Sequence, residues 1–146
     1  KKLFLSVVFT NNDSGEPISR IRQVYWDGSF YNRSLQEYNY NDGGDLTQNT
    51  SLKWRHDSWH NRSMNELQYQ DGLCVNNTHY RWVDSTWANR YLQEISYNDN
   101  GERVEKVGYK WTDNGWTERH KTEYSFDDNG DLSQKIFSKW TDAGWV

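Results

Sequence analysis

The sequence has little of the material that usually stabilises, anchors or equips a small protein. Cys74 is its single cysteine, so no internal disulfide can form and no cysteine pattern suggests a metal site. No apolar stretch reaches the length of a membrane span. Only 34% of the 146 residues are hydrophobic, and the net charge is -4. That charge argues against electrostatic binding to nucleic acid or to an anionic membrane.

Aromatic side chains supply the apolar mass instead, and they recur at a fixed spacing. The chain has nine Trp, ten Tyr and five Phe. Each repeat contains a first aromatic residue, a second one five residues later, a third ten residues after that, and then a glycine. The first positions are Tyr25, Trp54, Trp82, Trp111 and Trp140, the second are Phe30, Trp59, Trp87, Trp116 and Trp145, the third are Tyr40, Tyr69, Tyr97 and Phe126, and the glycines are Gly15, Gly44, Gly72, Gly101 and Gly130. The period is 29 residues, or 28 where the turn at Gly72 is shorter, which makes the chain a tandem repeat.

Each repeat is predicted to be a β-hairpin. Segments rich in aromatic, β-branched and Thr residues lie between each glycine and the next first-position aromatic residue, and again between that residue and the third aromatic residue. The turns at 98-101 and 127-130 have the composition of a type I turn closed by a left-handed glycine, whereas Asp71-Gly72 suits a two-residue primed turn. The Asp residues of these turns lack the dense ligand pattern of a calcium site.

These segments predict an all-β fold, an antiparallel meander of about ten strands. The length suits a single domain over residues 1-146. Its hairpin repeats are expected at about 16-40, 45-69, 73-97, 102-126 and 131-146, with a half repeat at 1-10. Residues 1-9 also resemble the charged and apolar parts of a signal peptide, but a polar stretch follows in place of a cleavage site, which favours a retained strand.

The two terminal segments, 1-10 and 131-140, determine how the sheet ends. In an alternating series of strands they run antiparallel, so they could pair and close the meander into a barrel-like or coiled single sheet. The alternative is an open sheet in which the same segments pair between neighbouring chains, head to tail. Self-association through 1-10 and 131-140 would then build a fibre.

Strict alternation predicts how side chains divide between the faces of the sheet. It places the Trp residues and the third aromatic residues on one face, as from Trp87 to Tyr97. It places Glu94 opposite Lys106 on the other face. That face would carry the recurring charges, namely Arg33, Arg62, Arg90 and Arg119 with Glu37, Glu66, Glu94 and Glu123. Because these charges recur in every repeat, cross-strand ion pairing explains them better than catalysis does.

Other candidate chemistry is sparse. The four histidines, His56, His60, His79 and His120, lack metal-ligand spacing, and no nucleophile elbow, P-loop or dinucleotide motif is present. Five glycosylation sequons, at Asn12, Asn32, Asn49, Asn61 and Asn76, show acceptor potential only. We therefore predict a protein that is not an enzyme and has no cofactor and no metal.

The repeat resembles a known kind of bacterial sequence. The pattern formed by Trp82, Trp87, Glu94, Tyr97 and Gly101 resembles tandem hairpin repeats in secreted and surface proteins of Bacteroidetes and, more loosely, the YD-type repeats of large bacterial surface proteins. The resemblance covers nearly all of residues 16-145, although the first repeat has Tyr and Phe in place of its Trp pair. It implies an exported all-β module and supplies no catalytic residues.

The aromatic residues are the feature most open to a functional interpretation. They could form the core of the sheet, or they could remain open as a platform for a ligand, and both hold if inner rings pack while end rings stay exposed. We predict an extracellular or cell-surface, or periplasmic, module that binds glycan or protein. The expected binding residues are Trp54, Trp59, Trp82, Trp87, Trp111, Trp116, Trp140 and Trp145. The alternative is a structural subunit of a fibre or stalk assembled by strand complementation.

Overall fold

A computed structural model describes residues 4–146 of the chain as an all-β protein. Its strands are β1 (Phe4–Asn11), β2 (Pro17–Trp26), β3 (Ser29–Tyr40), β4 (Leu46–Arg55), β5 (Ser58–Gln70), β6 (Leu73–Val83), β7 (Thr86–Tyr97), β8 (Arg103–Thr112), β9 (Gly115–Phe126), β10 (Leu132–Thr141) and β11 (Gly144–Trp145). Over this range no helix is long and apolar enough to cross a membrane. The predicted strand at 1-10 is confirmed from Phe4 onward, and its first three residues lie outside the described range.

The strands form one antiparallel meander, as predicted. Each strand lies beside its neighbours in sequence, in the order β1 to β11. The short strand β11 was not predicted, and it pairs with β10 through Trp140 and Trp145. The sheet is open, because β1 lies at one end of this order and β10 with β11 at the other. The barrel-like closure of 1-10 onto 131-140 is therefore wrong for the described chain.

Residue contacts divide the chain into two compact units. The first unit runs up to Glu66 and also includes Tyr80–Ala88. The second unit consists of Leu67–His79 and Asn89–Val146. The boundary passes through strands β5, β6 and β7 rather than through a linker.

Neither unit has a conventional aliphatic core. In the first unit the buried apolar side chains are Leu35 and Met64. In the second unit Val107 is buried on one face and the polar Thr122 on the other. No side chain among the described residues is fully buried. The sheet is therefore stabilised mainly by strand pairing and by contacts between cross-strand side chains, each a modest contribution of roughly 0.2–1 kcal/mol.

The glycine turns form as their composition predicts. Gly101 donates its backbone N–H to the carbonyl of Asn98 at 2.9 Å, and Asn98 donates to Glu102 at 3.0 Å. Gly101 has a φ of 78°, which places it in the left-handed region that glycine tolerates best. Asp71 and Gly72 both have positive φ, as a two-residue primed turn requires.

The Trp turns use two different backbone solutions. In the first unit both central residues have positive φ, the signature of a type I′ turn, even where no glycine is present, as at His56-Asp57 and Asp84-Ser85. In the second unit Gly115 and Gly144 alone have positive φ at these turns, each following two residues in the ordinary region. Both solutions bring the two Trp positions of a repeat opposite each other.

A β-bulge interrupts the second strand of three hairpins. Between β2 and β3 the register skips Arg33, because Asn32 and Ser34 pair with successive residues of β2. The same shift skips Arg62 on β5 and Arg119 on β9. An extra residue restarts the alternation of side chains, so residues after the bulge lie on the face opposite to the one that strict alternation assigns them.

The bulge corrects the predicted faces. We call the side of the sheet that carries the Trp pairs the Trp face and the other side the Arg face, within each compact unit. In the second unit Glu94 pairs with Val107 rather than Lys106 and accepts a hydrogen bond from Tyr109, which shares the Trp face with Trp111. Tyr97 pairs with Arg103 and lies on the Arg face.

Two predictions about the faces are therefore wrong. The third aromatic residues do not share a face with the Trp pairs, and the recurring glutamates do not lie on the Arg face. In the first unit the register places Glu37 and Glu66 on the Trp face. In the second unit it places all four strand carboxylates there, namely Glu94, Glu105, Glu118 and Glu123. The faces of each unit thus differ in charge, acidic on the Trp side and basic on the other.

Candidate functional site

The eight Trp residues predicted as binding residues are brought together as four pairs across the Trp turns. In the first unit, ring centroids are 4.8 Å apart for Trp54–Trp59 and for Trp82–Trp87, with interplanar angles of 71° in both pairs. In the second unit, they are 5.0 Å apart for Trp111–Trp116 and 5.1 Å apart for Trp140–Trp145, with angles of 75°. This edge-to-face geometry stabilises a sheet by about 0.5–1.5 kcal/mol per pair beyond burial.

The pairs are packed and accessible at the same time. In the second unit Trp111 is 41% exposed and Trp140 is 42% exposed, while their partners Trp116 and Trp145 are half-buried. In the first unit all four Trp rings are half-buried. Each exposed indole is thus held in place by its partner and still presents surface to solvent, so the rings can stabilise the hairpin and contact a ligand together.

Carboxylates lie on the same face as the rings. In the first unit Tyr80 donates its hydroxyl to Glu66 at 2.7 Å, and in the second unit Tyr109 donates to Glu94 at 2.7 Å. Burial raises the pKa of Tyr109 far above its ordinary value, and the hydrogen bond and negative charge of Glu94 raise it further. The tyrosine therefore remains a neutral donor, and the carboxylate keeps further acceptor positions for other donors.

Lys121 connects the carboxylates of the second unit to its rings. Its ammonium lies 3.1 Å from Glu123 and 4.0 Å from Glu105. It also lies 5.4 Å from the centroid of the Trp145 ring, within range of a cation–π interaction. The Trp face of this unit thus combines indole rings, fixed acceptors and one positioned donor.

The Arg face of the second unit is filled by a row of rings. Tyr91 Oη lies 2.7 Å from His120 Nε2, and the two rings stack with centroids 5.8 Å apart. Phe137 stacks on the other side of His120 at 6.0 Å. Gly108 lies beneath Tyr91 and His120, where a Cβ would overlap both. Burial lowers the pKa of His120, and the charges of Lys106 and Arg119 lower it further.

Two other titratable groups, Cys74 and His79, have shifted pKa values. Burial raises the pKa of the Cys74 thiol, which disfavours the reactive thiolate. Within residues 4–146 no group of His, Cys, Asp and Glu side chains is placed to hold a metal ion. His79 lies apart from His120, and burial followed by the charge of Arg90 lowers its pKa.

Sequence reasoning missed the arrangement of the charged groups around the rings. It placed the glutamates on the wrong face because the extra residue of a bulge is invisible in a pattern of period two. The available signal was an arginine three residues after the second aromatic position in each repeat, at Arg33, Arg62, Arg90 and Arg119. A β-bulge that recurs in a tandem repeat leaves one residue unpaired at the same position of each repeat. A charged residue at a constant position inside a strand is the sequence signal of such a bulge.

Comparison with known proteins identifies a protein with a similar fold but gives no information about activity. No protein-family model and no curated protein matches the sequence. A crystal structure of a protein of unknown function from Bacteroides fragilis NCTC 9343 is similar over 91% of both chains, with a TM-score of 0.64 and 12% identity. A DUF3836 family protein from Bacteroides vulgatus ATCC 8482 is similar over 61% of this chain and 91% of its own, with a TM-score of 0.49 and 16% identity. The chain therefore shares its all-β fold with a protein of a Bacteroides species.

Proposed function

We propose that the protein is a non-catalytic binding module that takes a neutral glycan on its Trp face. The observation that carries this proposal is the presence of exposed indole rings and strand carboxylates on one face of the sheet. Sugar rings pack their C–H faces on aromatic rings and donate hydroxyl hydrogen bonds to fixed acceptors. The Trp face offers both, and its rings are held rigidly by their partners.

The charge of the Trp face selects among glycans. In the second unit four carboxylates share this face with the single cation of Lys121, which is already paired. An anionic sugar placed there would be repelled, because like charges at close range oppose binding. A neutral glycan has no such penalty, and its hydroxyl groups satisfy the acceptors.

We also propose that the protein acts outside the cytoplasm, at the cell surface or in the periplasm. The support is the resemblance of its repeat to those of exported Bacteroidetes proteins, and glycans are abundant ligands in those compartments. Protease treatment of intact cells tests this location. A surface protein should be degraded in intact cells, and a periplasmic protein should be degraded once the outer membrane is opened without lysis. Full protection in both conditions would contradict the proposed location.

Binding to the Trp face is tested by following Trp fluorescence while a panel of neutral oligosaccharides is added. Trp111→Ala and Trp140→Ala should each weaken binding about threefold to tenfold, as loss of one stacked ring implies. The matched control is Trp26→Ala, because Trp26 is also exposed but lies on the Arg face. A folded protein that responds to no neutral glycan would refute the proposal, and binding to basic peptides alone would replace the glycan with a protein ligand.

A second candidate function is head-to-tail assembly into a fibre, favoured by the two ends of the sheet. Large apolar side chains are exposed on β1 and on β10, with Leu5 at 67% and Phe137 at 57%. Over the described residues β1 has β2 as its only strand neighbour, and β11 covers only the last residues of β10. Uncovered apolar edges of this kind favour pairing with another copy.

Sedimentation at increasing protein concentration tests the fibre. Assembly should grow with concentration and should be abolished by Ile136→Lys, which places a charge on the open part of β10. Asn100→Lys is the control, since it adds the same charge in an exposed turn. A protein that stays monomeric at high concentration would exclude assembly.

A further inference from the structure

The Arg face of the first unit contains an open cavity surrounded by cations. It has a volume of about 330 Å³, and its charged lining residues are Arg22, Arg33, Lys53 and Arg62. A second cavity of about 410 Å³ shares Lys53 and Arg62 and adds two further arginines, Arg55 and Arg81. We call the two cavities together the cationic groove. No carboxylate lines either cavity.

The bulges explain why these cations have no acidic partners. Arg22, Ser34 and Lys53 are aligned across β2, β3 and β4, and the bulge residues Arg33 and Arg62 lie next to this row. The same bulges move Glu37 and Glu66 to the Trp face. Among the described residues none of the four cations that line the 330 Å³ cavity forms an ion pair. Like charges gathered in this way repel one another, and a bound anion would relieve that repulsion.

The cavity lies where the sequence of the first repeats differs from that of the later ones. Ser34 and Ser63 occupy the positions that Tyr91 and His120 occupy in later repeats, four residues after the second aromatic position. In the second unit those two rings stack over Gly108 and fill the equivalent space. In the first unit the small Ser34 lines the cavity and leaves it open, so the arginines there border a cavity rather than a packed row.

The lining indicates the chemistry of the ligand. Leu5 and Val24 supply an apolar wall, and the guanidinium groups supply paired donors of the kind that hold carboxylate or sulfate oxygens bidentately. The 330 Å³ volume lies at the lower end of the range of small-ligand sites, roughly 300–1,000 Å³. No aromatic side chain lines the 330 Å³ cavity, and Trp82 is the one ring that lines the 410 Å³ cavity. Single-stranded nucleic acid is instead bound by stacking successive bases on several rings. The net charge of -4 also opposes a long polyanion.

We propose that the cationic groove binds an acidic sugar, a uronate or a sulfated sugar, within a short oligosaccharide. Its 330 Å³ cavity lies on the face opposite to the Trp pairs, and Trp82 borders only the 410 Å³ cavity. The site is independent of the neutral-glycan proposal, whose tested rings, Trp111 and Trp140, belong to the second unit, so either one can fail alone. The module would then have one surface for neutral glycans and another for acidic glycans.

Calorimetric titration tests the groove with a galacturonate trimer and with a sulfated disaccharide, and a neutral trisaccharide and a short oligothymidylate serve as comparisons. Binding of either acidic sugar, weakened by added salt, is expected. The double variant Arg33→Gln/Arg62→Gln should weaken it by more than about tenfold. The matched control is Arg90→Gln/Arg119→Gln, which removes the same charge from the same repeat positions in the second unit and should leave binding within about twofold.

A third variant, Ser34→Tyr, closes the cavity without changing the charge. It copies the residue that fills this position at Tyr91, and it should abolish binding while the melting temperature stays within a few degrees of the parent. Equal weakening by both arginine pairs would show non-specific attraction and overturn the proposal. So would binding of the oligothymidylate alone, unchanged binding by Ser34→Tyr, or no binding of either acidic sugar.

Discussion

Met64→Ala is expected to lower the free energy of unfolding by about 2–5 kcal/mol, the range observed when a large core side chain is lost. Met64 is buried, and the register places it on the Trp face. It lies there because β5 leaves Arg62 unpaired, so that Asn61 and Ser63 pair with successive residues of β4. Strict alternation from Trp59 would instead turn Met64 to the Arg face.

The control is Arg62→Ala, which truncates a side chain of the same strand and keeps the residue count and hence the bulge. Because Arg62 is exposed, this variant should change stability by less than about 0.5 kcal/mol. Urea unfolding of the two variants provides the comparison. If Met64→Ala were as stable as Arg62→Ala, Met64 would not be buried on the Trp face, and the register that also assigns Glu66 to that face would be wrong.

Gly108→Ala is expected to destabilise the second unit by about 1–3 kcal/mol, the cost typical of overpacking. Gly108 is buried, and a Cβ there would overlap Tyr91 Oη and His120 Nε2. The two groups lie only 2.7 Å apart, so relieving the overlap would separate them and disturb the stack with Phe137. Thermal and urea unfolding measure the loss.

The control uses a background without the rings of Tyr91 and His120, which the added methyl group would overlap. In a Tyr91→Ser/His120→Ser background, which copies the serines of the first unit, Gly108→Ala should cost much less than in the parent protein. A double-mutant cycle therefore isolates the overlap from the general effect of alanine in a strand. An equal cost in both backgrounds would mean that the rings do not constrain Gly108.

Much of the architecture can be predicted from local sequence. The 29-residue spacing of rings and glycines predicted the hairpins, their turns at Asp71-Gly72 and 98-101, and the meander order, because turn chemistry and strand composition act over a few residues. Alternation also predicted that the Trp residues share one face, and there Trp54–Trp59 and Trp111–Trp116 meet at about 5 Å. These features depend on neighbours in the chain and need no distant contact.

The candidate site could be predicted only in part. The Trp pairs were found, but Glu66 and Glu94 were assigned to the wrong face because a bulge adds a residue without changing the sequence pattern. The cationic groove was missed for the same reason. The exchange of Ser34 for a ring at Tyr91 becomes meaningful only when the register shows that Ser34 lies on the Arg face, between Arg22 and Lys53.

The sequence by itself determined the repeating hairpin, since ring spacing and turn residues specify local backbone geometry. The tertiary structure alone decided that the sheet stays open, that its contacts form two compact units, and that carboxylates and arginines lie on opposite faces of each unit. The physical reason is that face assignment and closure depend on register between strands. One unpaired residue at Arg33, Arg62 or Arg119 shifts that register for every side chain that follows it on the strand.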